Sequence, residues 1–430
     1  MKFKGRTVLA VAAAGALAAP ALAQQSGPVA TYWVSAATST GMNMSGMGQM
    51  GAGQGGEQAQ PQPQPKPKRP GLGAMLGAAA SGMVPGAGLF GGGRHDDSDQ
   101  GGGGYGARGG GANDYRARMQ GGGAPVRTLS LALGSNERPT GDPQAEHLIP
   151  PGLNMGPSLP LVTPQSAPAV ESSGDAMPPQ MQRPKGKMII YWGCGEHAAA
   201  APIVIDFATL GEGKAPNFPT IAVTAEHPPS PGRSATYGVW PNARDGKPVP
   251  ADASLVGDHT VHGDYSPDIH FHLGPDHDFM APLSITSHDP TPAGGVRVTW
   301  SQVPGATGYF AWMMGASMKD GRDNPTIIVW SSSMKPSVWG AMMDYLPPAE
   351  VRRLVAQQVV MAPSATECIV PSEVQQAGAM GMLSMIAYGD EVNVADPPRP
   401  ASARTPWNLK YLVKVRYKST TGMMLGVPGM

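Results

Sequence analysis

Between Gly41 and Pro125 the chain holds few large apolar side chains, and glycine or proline returns every few residues. Such a stretch has little surface to bury and much backbone entropy to lose, so it is predicted to stay disordered. Gln-Pro and Lys-Pro alternation from Gln60 to Pro70 favours an extended polyproline II spacer. Gly71–Gly93 is uncharged and contains Gly73-x-x-x-Gly77, a spacing found in packed membrane helices, but Pro85 and the dominance of small residues favour linker. A second proline-rich stretch runs from Pro150 to Pro184. With 59 Gly and 46 Pro in 430 residues, the chain sits near the level at which low complexity is expected, so its fold has to be assembled from what remains.

The N-terminus has the order of a cleavable export signal. Lys2, Lys4 and Arg6 precede an uncharged apolar run, Val8–Ala19, then Pro20 and the small-residue site Ala21-Leu22-Ala23. The run is shorter than the roughly 20 residues a membrane-spanning helix needs, so cleavage after Ala23 leaves Gln24 first and no transmembrane helix. The expected compartment is the bacterial periplasm, with outer-membrane association or secretion as alternatives. Lys plus Arg and Asp plus Glu number 31 each. Losing the three signal cations leaves the mature chain slightly acidic, which argues against nucleic acid as a partner. Only Cys194 and Cys368 are present, and two cysteines in an oxidising compartment are predicted to form one disulfide.

The expected organisation is a signal peptide (1–23), a mostly disordered Gly/Pro/Met-rich region (24–185) and a β-rich folded region (186–430), divisible into 186–282 and 283–430. Two islands in the first half are predicted to dock as strands onto an edge of the second. They are 30–36, with Tyr32 and Trp33, and 127–134, where Leu129, Leu131 and Leu133 alternate with small residues. In the second half, short Val/Ile/aromatic runs between Pro, Gly and Asp turns predict strands at Met188–Trp192, Ile203–Phe207, Thr220–Thr224, Ile269–Leu273, Val296–Trp300, Gly308–Met313 and Thr326–Trp330. Pro348 opens a helix carrying Val351, Leu354, Val355 and Val359. Ser372 and Gln375 have capping-box spacing before Val374, Ala377, Met382 and Met385. A last strand alternates Leu409, Tyr411, Val413, Val415 and Tyr417 with a basic face of Lys410, Lys414, Arg416 and Lys418, predicted to be solvated. The fold class is mainly β and sandwich-like, with α+β character from two or three late helices.

The stretch Val296-Arg-Val-Thr-Trp300-Ser-Gln-Val-Pro304-Gly-Ala-Thr-Gly-Tyr309 resembles the B-to-C segment of fibronectin type III modules in bacterial exported proteins. In these a core Trp, a Pro-Gly-Ala-type turn and a core Tyr recur at this spacing. The resemblance covers about Leu283–Ser333 and implies a β-sandwich scaffold without a catalytic residue.

Candidate sites are few. His259, His262, His270, His272 and His277 fall close together beside several Asp, and His270 and His272 share one face of a predicted strand, where imidazoles can bind zinc or copper. Met42, Met44, Met47 and Met50 have the spacing of thioether ligands for Cu(I). Cys194, in Trp192-Gly-Cys-Gly-Glu-His197, has a base-like neighbour, but the disulfide reading competes with a nucleophile. No Gly-x-Ser-x-Gly, His-Glu-x-x-His or phosphate-binding loop occurs, so no catalytic residue is named. The leading expectation is a non-enzymatic envelope protein, a β-rich binding or scaffolding domain on a flexible arm, with envelope protein or polysaccharide as partner and no cofactor. A periplasmic copper or zinc binder is the alternative, and a hydrolase with an unrecognised site the third.

Overall fold

The computed structural model describes residues 27–41, 124–164, 186–210, 221–317, 319, 321, 324–336, 340–402 and 407–426. The export signal, the Met42–Met50 run and the Gly73–Gly77 spacing lie outside the described residues.

Both islands are strands. β1 (Ala30–Ser39) buries Tyr32, Val34 and Ala36 on one face and Trp33 and Ser35 on the other. β2 (Val126–Ser135) runs antiparallel to it from end to end, with Ser39 opposite Val126. Edge docking is not what they do. β1 also pairs in parallel with the last strand, β16 (Tyr411–Leu425), and β2 pairs with β7 (Thr236–Trp240), so the islands lie inside the sheet. Ordered chain therefore begins well before 186, because 124–164 contributes apolar faces to the core as well as β2.

The central sheet has nine strands in the order β6-β5-β13-β12-β15-β16-β1-β2-β7. Its other members are β5 (Lys187–Trp192), β6 (Ile203–Asp206), β12 (Gly308–Ser317), β13 (Thr326–Ser331) and β15 (Met380–Asp396). Strands from both expected subdomains share it. Alternation along β12 sets the two faces: Tyr309, Ala311 and Met313 enter one core, and Phe310, Trp312 and Met314 the other. Two smaller sheets complete the first core. One is β10 (Ile285–Pro290), β11 (Val296–Trp300) and β14 (Glu367–Val370); the other has the order β4-β3-β8-β9, from β3 (Ala145–Leu148), β4 (Ser158–Leu161), β8 (Gly257–Gly263) and β9 (Ile269–Leu273). A bridge between Val162 and Val239 ties the end of β4 to β7, where the chain turns from the large sheet to the small one. On the opposite face, α2 (Pro348–Ala356) buries Val351 and Leu354 against Phe310 and Ile386.

Helices are short: α1 (Phe207–Leu210), α2, and α3 (Ser372–Gln376). The expected helix through Met382 and Met385 stops early. Gly378 takes a left-handed φ of 74°, and from Met380 the chain pairs with β12 and β16. The expected capping box is absent as well, since Pro371 is the N-cap and makes no side-chain cap bond. Residues 221–224 are not a strand; Ile221 and Val223 pack as loop against the second core. None of the helices among the described residues is long and apolar enough to cross a membrane. Cys194 and Cys368 are disulfide-bonded, joining the chain just after β5 to β14 and so the large sheet to the three-stranded one.

Candidate functional site

The basic face of β16 is covered. β16 is a central strand, and the face bearing Lys414 and Arg416 lies beneath two loops, around Glu226 and around Tyr345. Register sets the neighbours: Trp33 of β1 stands opposite Lys414, Ser35 opposite Arg416, and Glu391 of β15 on the other side of Arg416. The Lys414 ammonium, 9% exposed, donates to Glu226 and to Glu391, the latter at 2.7 Å. The Arg416 guanidinium lies 4.7 Å from the Trp33 ring centre and 4.3 Å from that of Tyr345, while its Nε donates to Ser35 Oγ at 2.8 Å. Lys418 lies over Tyr345 and pairs with Asp344 at 3.3 Å. Burial lowers the pKa of Arg416 and Lys418, with Asp344 opposing the shift in both. Burial also pushes Asp344 up, but Lys418, the Tyr345 backbone N–H and Arg416 outweigh it and hold the carboxyl below its ordinary range. Lys410, the fourth expected cation, precedes the strand and is exposed.

Beside this cluster opens a cleft of about 420 Å³, its walls including Trp33, Asn136, Glu226, Arg233, Asn393 and Lys414. Pro228 and Pro229 add an apolar side. Trp33 and Lys414 were legible as strand residues. Glu226 and Asp344 were not, because they come from loops with no periodic pattern and reach the cluster only through the fold.

The histidine cluster divides between two faces. On β8, His259 and Val261 point into the core, while Asp258 and His262 point out. His262, His270 and His272 occupy the outer face, each with Nδ1 held by a neighbour: Asp268 at 2.6 Å, Thr260 at 3.1 Å and Asp258 at 2.8 Å. His277 lies in the turn after β9, its carbonyl accepting from the Tyr417 hydroxyl at 3.1 Å. His259 is closed to any metal, because both its nitrogens are engaged in the core. Nδ1 meets Nε2 of His147 at 2.9 Å, and Nε2 meets the Leu255 carbonyl at 2.7 Å. His147 Nδ1 in turn meets the Tyr32 hydroxyl at 2.9 Å. Among the described residues no three His, Cys, Asp or Glu side chains converge to hold a metal ion. His147 escaped the sequence reading since nothing near it in sequence marks it as polar core.

His197 pairs with Glu373 at 3.2 Å, and Cys194, being disulfide-bonded, is no nucleophile. No protein-family model matches this chain. A search of curated proteins finds none similar to it.

Proposed function

We propose that the protein is an exported, non-enzymatic binding or scaffolding protein of the bacterial cell envelope, and that the cleft beside Trp33 receives its ligand. The make-up of that cleft carries the reading. Asn136 and Asn393 each offer a donor and an acceptor, and Trp33 with Pro228 and Pro229 offers apolar surface. Glu226 at the cleft and Glu391, paired with Lys414, together offset the cations Lys414 and Arg233, so the cleft has no strong field selecting an ion. That combination suits a polar, mostly uncharged chain such as an envelope polysaccharide. A fibronectin type III-like scaffold over Leu283–Ser333 belongs to the same proposal. Its support is that Trp300 and Tyr309 pack 5.6 Å apart from strands of two facing sheets.

The test uses mature protein beginning at Gln24, titrated with isolated envelope polysaccharide and followed by tryptophan fluorescence and co-sedimentation. Saturable binding that weakens in Asn393→Ala and Arg233→Ala supports the cleft. Absence of binding, or binding indifferent to both substitutions, rejects it. N-terminal sequencing of the native protein checks export, which an intact Met1 in soluble material rejects.

A further inference from the structure

The chain of hydrogen bonds running from Tyr32 through His147 to His259 links three elements and two sheets. Tyr32 belongs to the nine-stranded sheet, and His147 on β3 and His259 on β8 belong to the four-stranded one. All three side chains are at most 1% exposed. The proton positions follow from one fixed point. A carbonyl only accepts, so His259 Nε2 carries the hydrogen it gives to Leu255. Neutral His259 then has a bare Nδ1, which can only accept, so His147 donates from Nε2. His147 Nδ1 is therefore bare and accepts from the Tyr32 hydroxyl. With both imidazoles neutral every link is satisfied, and each hydrogen along the chain has its acceptor.

A proton added to His259 Nδ1 faces the N–H of His147. Turning His147 into its other tautomer relieves that clash, and its Nδ1–H then donates to the Tyr32 oxygen, but the Tyr32 hydrogen loses His147 as its acceptor. A second proton leaves N–H facing N–H. We propose that Tyr32, His147 and His259 form an acid-sensitive clasp, which fastens the four-stranded sheet to the central sheet while the imidazoles are neutral and releases it when they take up protons.

The surroundings give a cation little help. From β9, Phe271 stacks on His259 with ring centres 4.6 Å apart, and His272 on the outer face adds unfavourable positive potential. Beside His259 on β8, exposed Asp258 is the one favourable charge, and neither imidazole has a hydrogen-bonded carboxylate among the described residues. From the turn after β8, Tyr265 faces Tyr32, its buried hydroxyl without a hydrogen-bond partner among the described residues. Burial lowers the pKa of His147 first and the neighbouring His259 lowers it further; burial likewise lowers that of His259. Opening therefore takes up protons. The closed form is fully favoured above the ordinary histidine pKa of roughly 6.5, and below it each imidazole raises the open fraction by about tenfold per pH unit.

Hydrogen exchange of the mature full-length protein, corrected for intrinsic rates, tests this at pH 7.5 and 5.0. Protection of Ala145–Leu148 and Gly257–Gly263 should fall at pH 5.0 by roughly thirtyfold if one imidazole takes up its proton only on opening and roughly a thousandfold if both do, while that of β12, β15 and β16 holds. A His147→Gln, His259→Gln variant keeps one acceptor and one donor at each position without titrating, and should lose this pH dependence. The proposal is overturned if the small sheet opens only together with β12 and β15, or if the double glutamine variant keeps the wild-type pH response. Should that variant fail to fold, ¹⁵N spectra of the wild-type imidazoles decide. Both rings must carry hydrogen on Nε2 and stay neutral until β3 loses protection, and a titration near pH 6.5 with protection intact overturns the clasp.

Discussion

At the scale of single residues, the charged cluster over β1 and β16 is held by contacts that long basic side chains make only when covered. Arg416 stacks against two aromatic rings and satisfies Ser35 with its Nε. Arg416→Ala removes a buried cation from three surrounding carboxylates and leaves a gap between Trp33 and Tyr345, and it should cost about 3 kcal/mol in urea unfolding. Arg416→Lys should recover only part of that, because an ammonium lacks the planar surface. A neighbouring anchor has a pH signature. Glu350 accepts from the Thr224 backbone N–H at 2.8 Å and from Arg353 at 2.6 Å, tying the loop before Glu226 to α2. The Arg353 hydrogen bonds, against the opposing effect of burial and with help from Thr224, hold its carboxyl below the ordinary 4.5. A lowered carboxylate pKa adds stability that is present above the unfolded value and lost as pH falls through the folded one. Glu350→Gln should therefore lower stability by about 1 kcal/mol at pH 7, with the gap to wild type closing below about pH 4.5. Denaturation curves at pH 7 and pH 3.5 check both statements. These roles were only half legible. The alternation of Lys414, Arg416 and Lys418 with apolar residues showed a strand, but whether its polar face meets water depends on loops far away in sequence.

At the scale of elements, short runs of Val, Ile and aromatic residues between turns were read correctly as strands. Met188–Trp192, Ile269–Leu273, Val296–Trp300 and Thr326–Trp330 each match a strand to within a residue, because β-branched and aromatic enrichment between turn residues is a local property of the chain. Met380–Asp396 was misread in its first half. Met382 and Met385 lie three residues apart and pass for a helical stripe, and only pairing with β12 and β16 makes them strand. Short β3 and β4 were missed, having four residues each and little β-branched character. The disulfide works at this scale too. It closes a separation of 174 residues between the large sheet and β14, for which loop entropy gives an upper value of about 5 kcal/mol and measured bridges commonly less. A Cys194→Ala, Cys368→Ala variant should lose about 2–5 kcal/mol, and thiol counting on denatured native protein should find no free thiol.

At the scale of the whole molecule, about 86 residues separate the paired ends Ser39 and Val126, so the Gly/Pro-rich stretch is an insertion in a hairpin and not a tail. If that stretch contributes no packing, replacing 42–123 by six Gly/Ser residues should leave the fold intact and stabilise it by about 2 kcal/mol through a cheaper loop closure. Urea midpoints of the two proteins check this, and a less stable short-loop protein would show that the segment contributes contacts. By itself the sequence determined the β character, the cysteine pair and the two strand islands, since each follows from local periodicity, from composition or from there being only two thiols. Tertiary structure alone decided that the islands sit inside the sheet, that the basic face of β16 is covered, and that His147 and His259 meet in the core. Those outcomes rest on contacts such as Lys418 with Asp344, 74 positions apart, and Arg416 with Ser35, 381 apart. A local pattern holds no information about which distant segment will supply the partner.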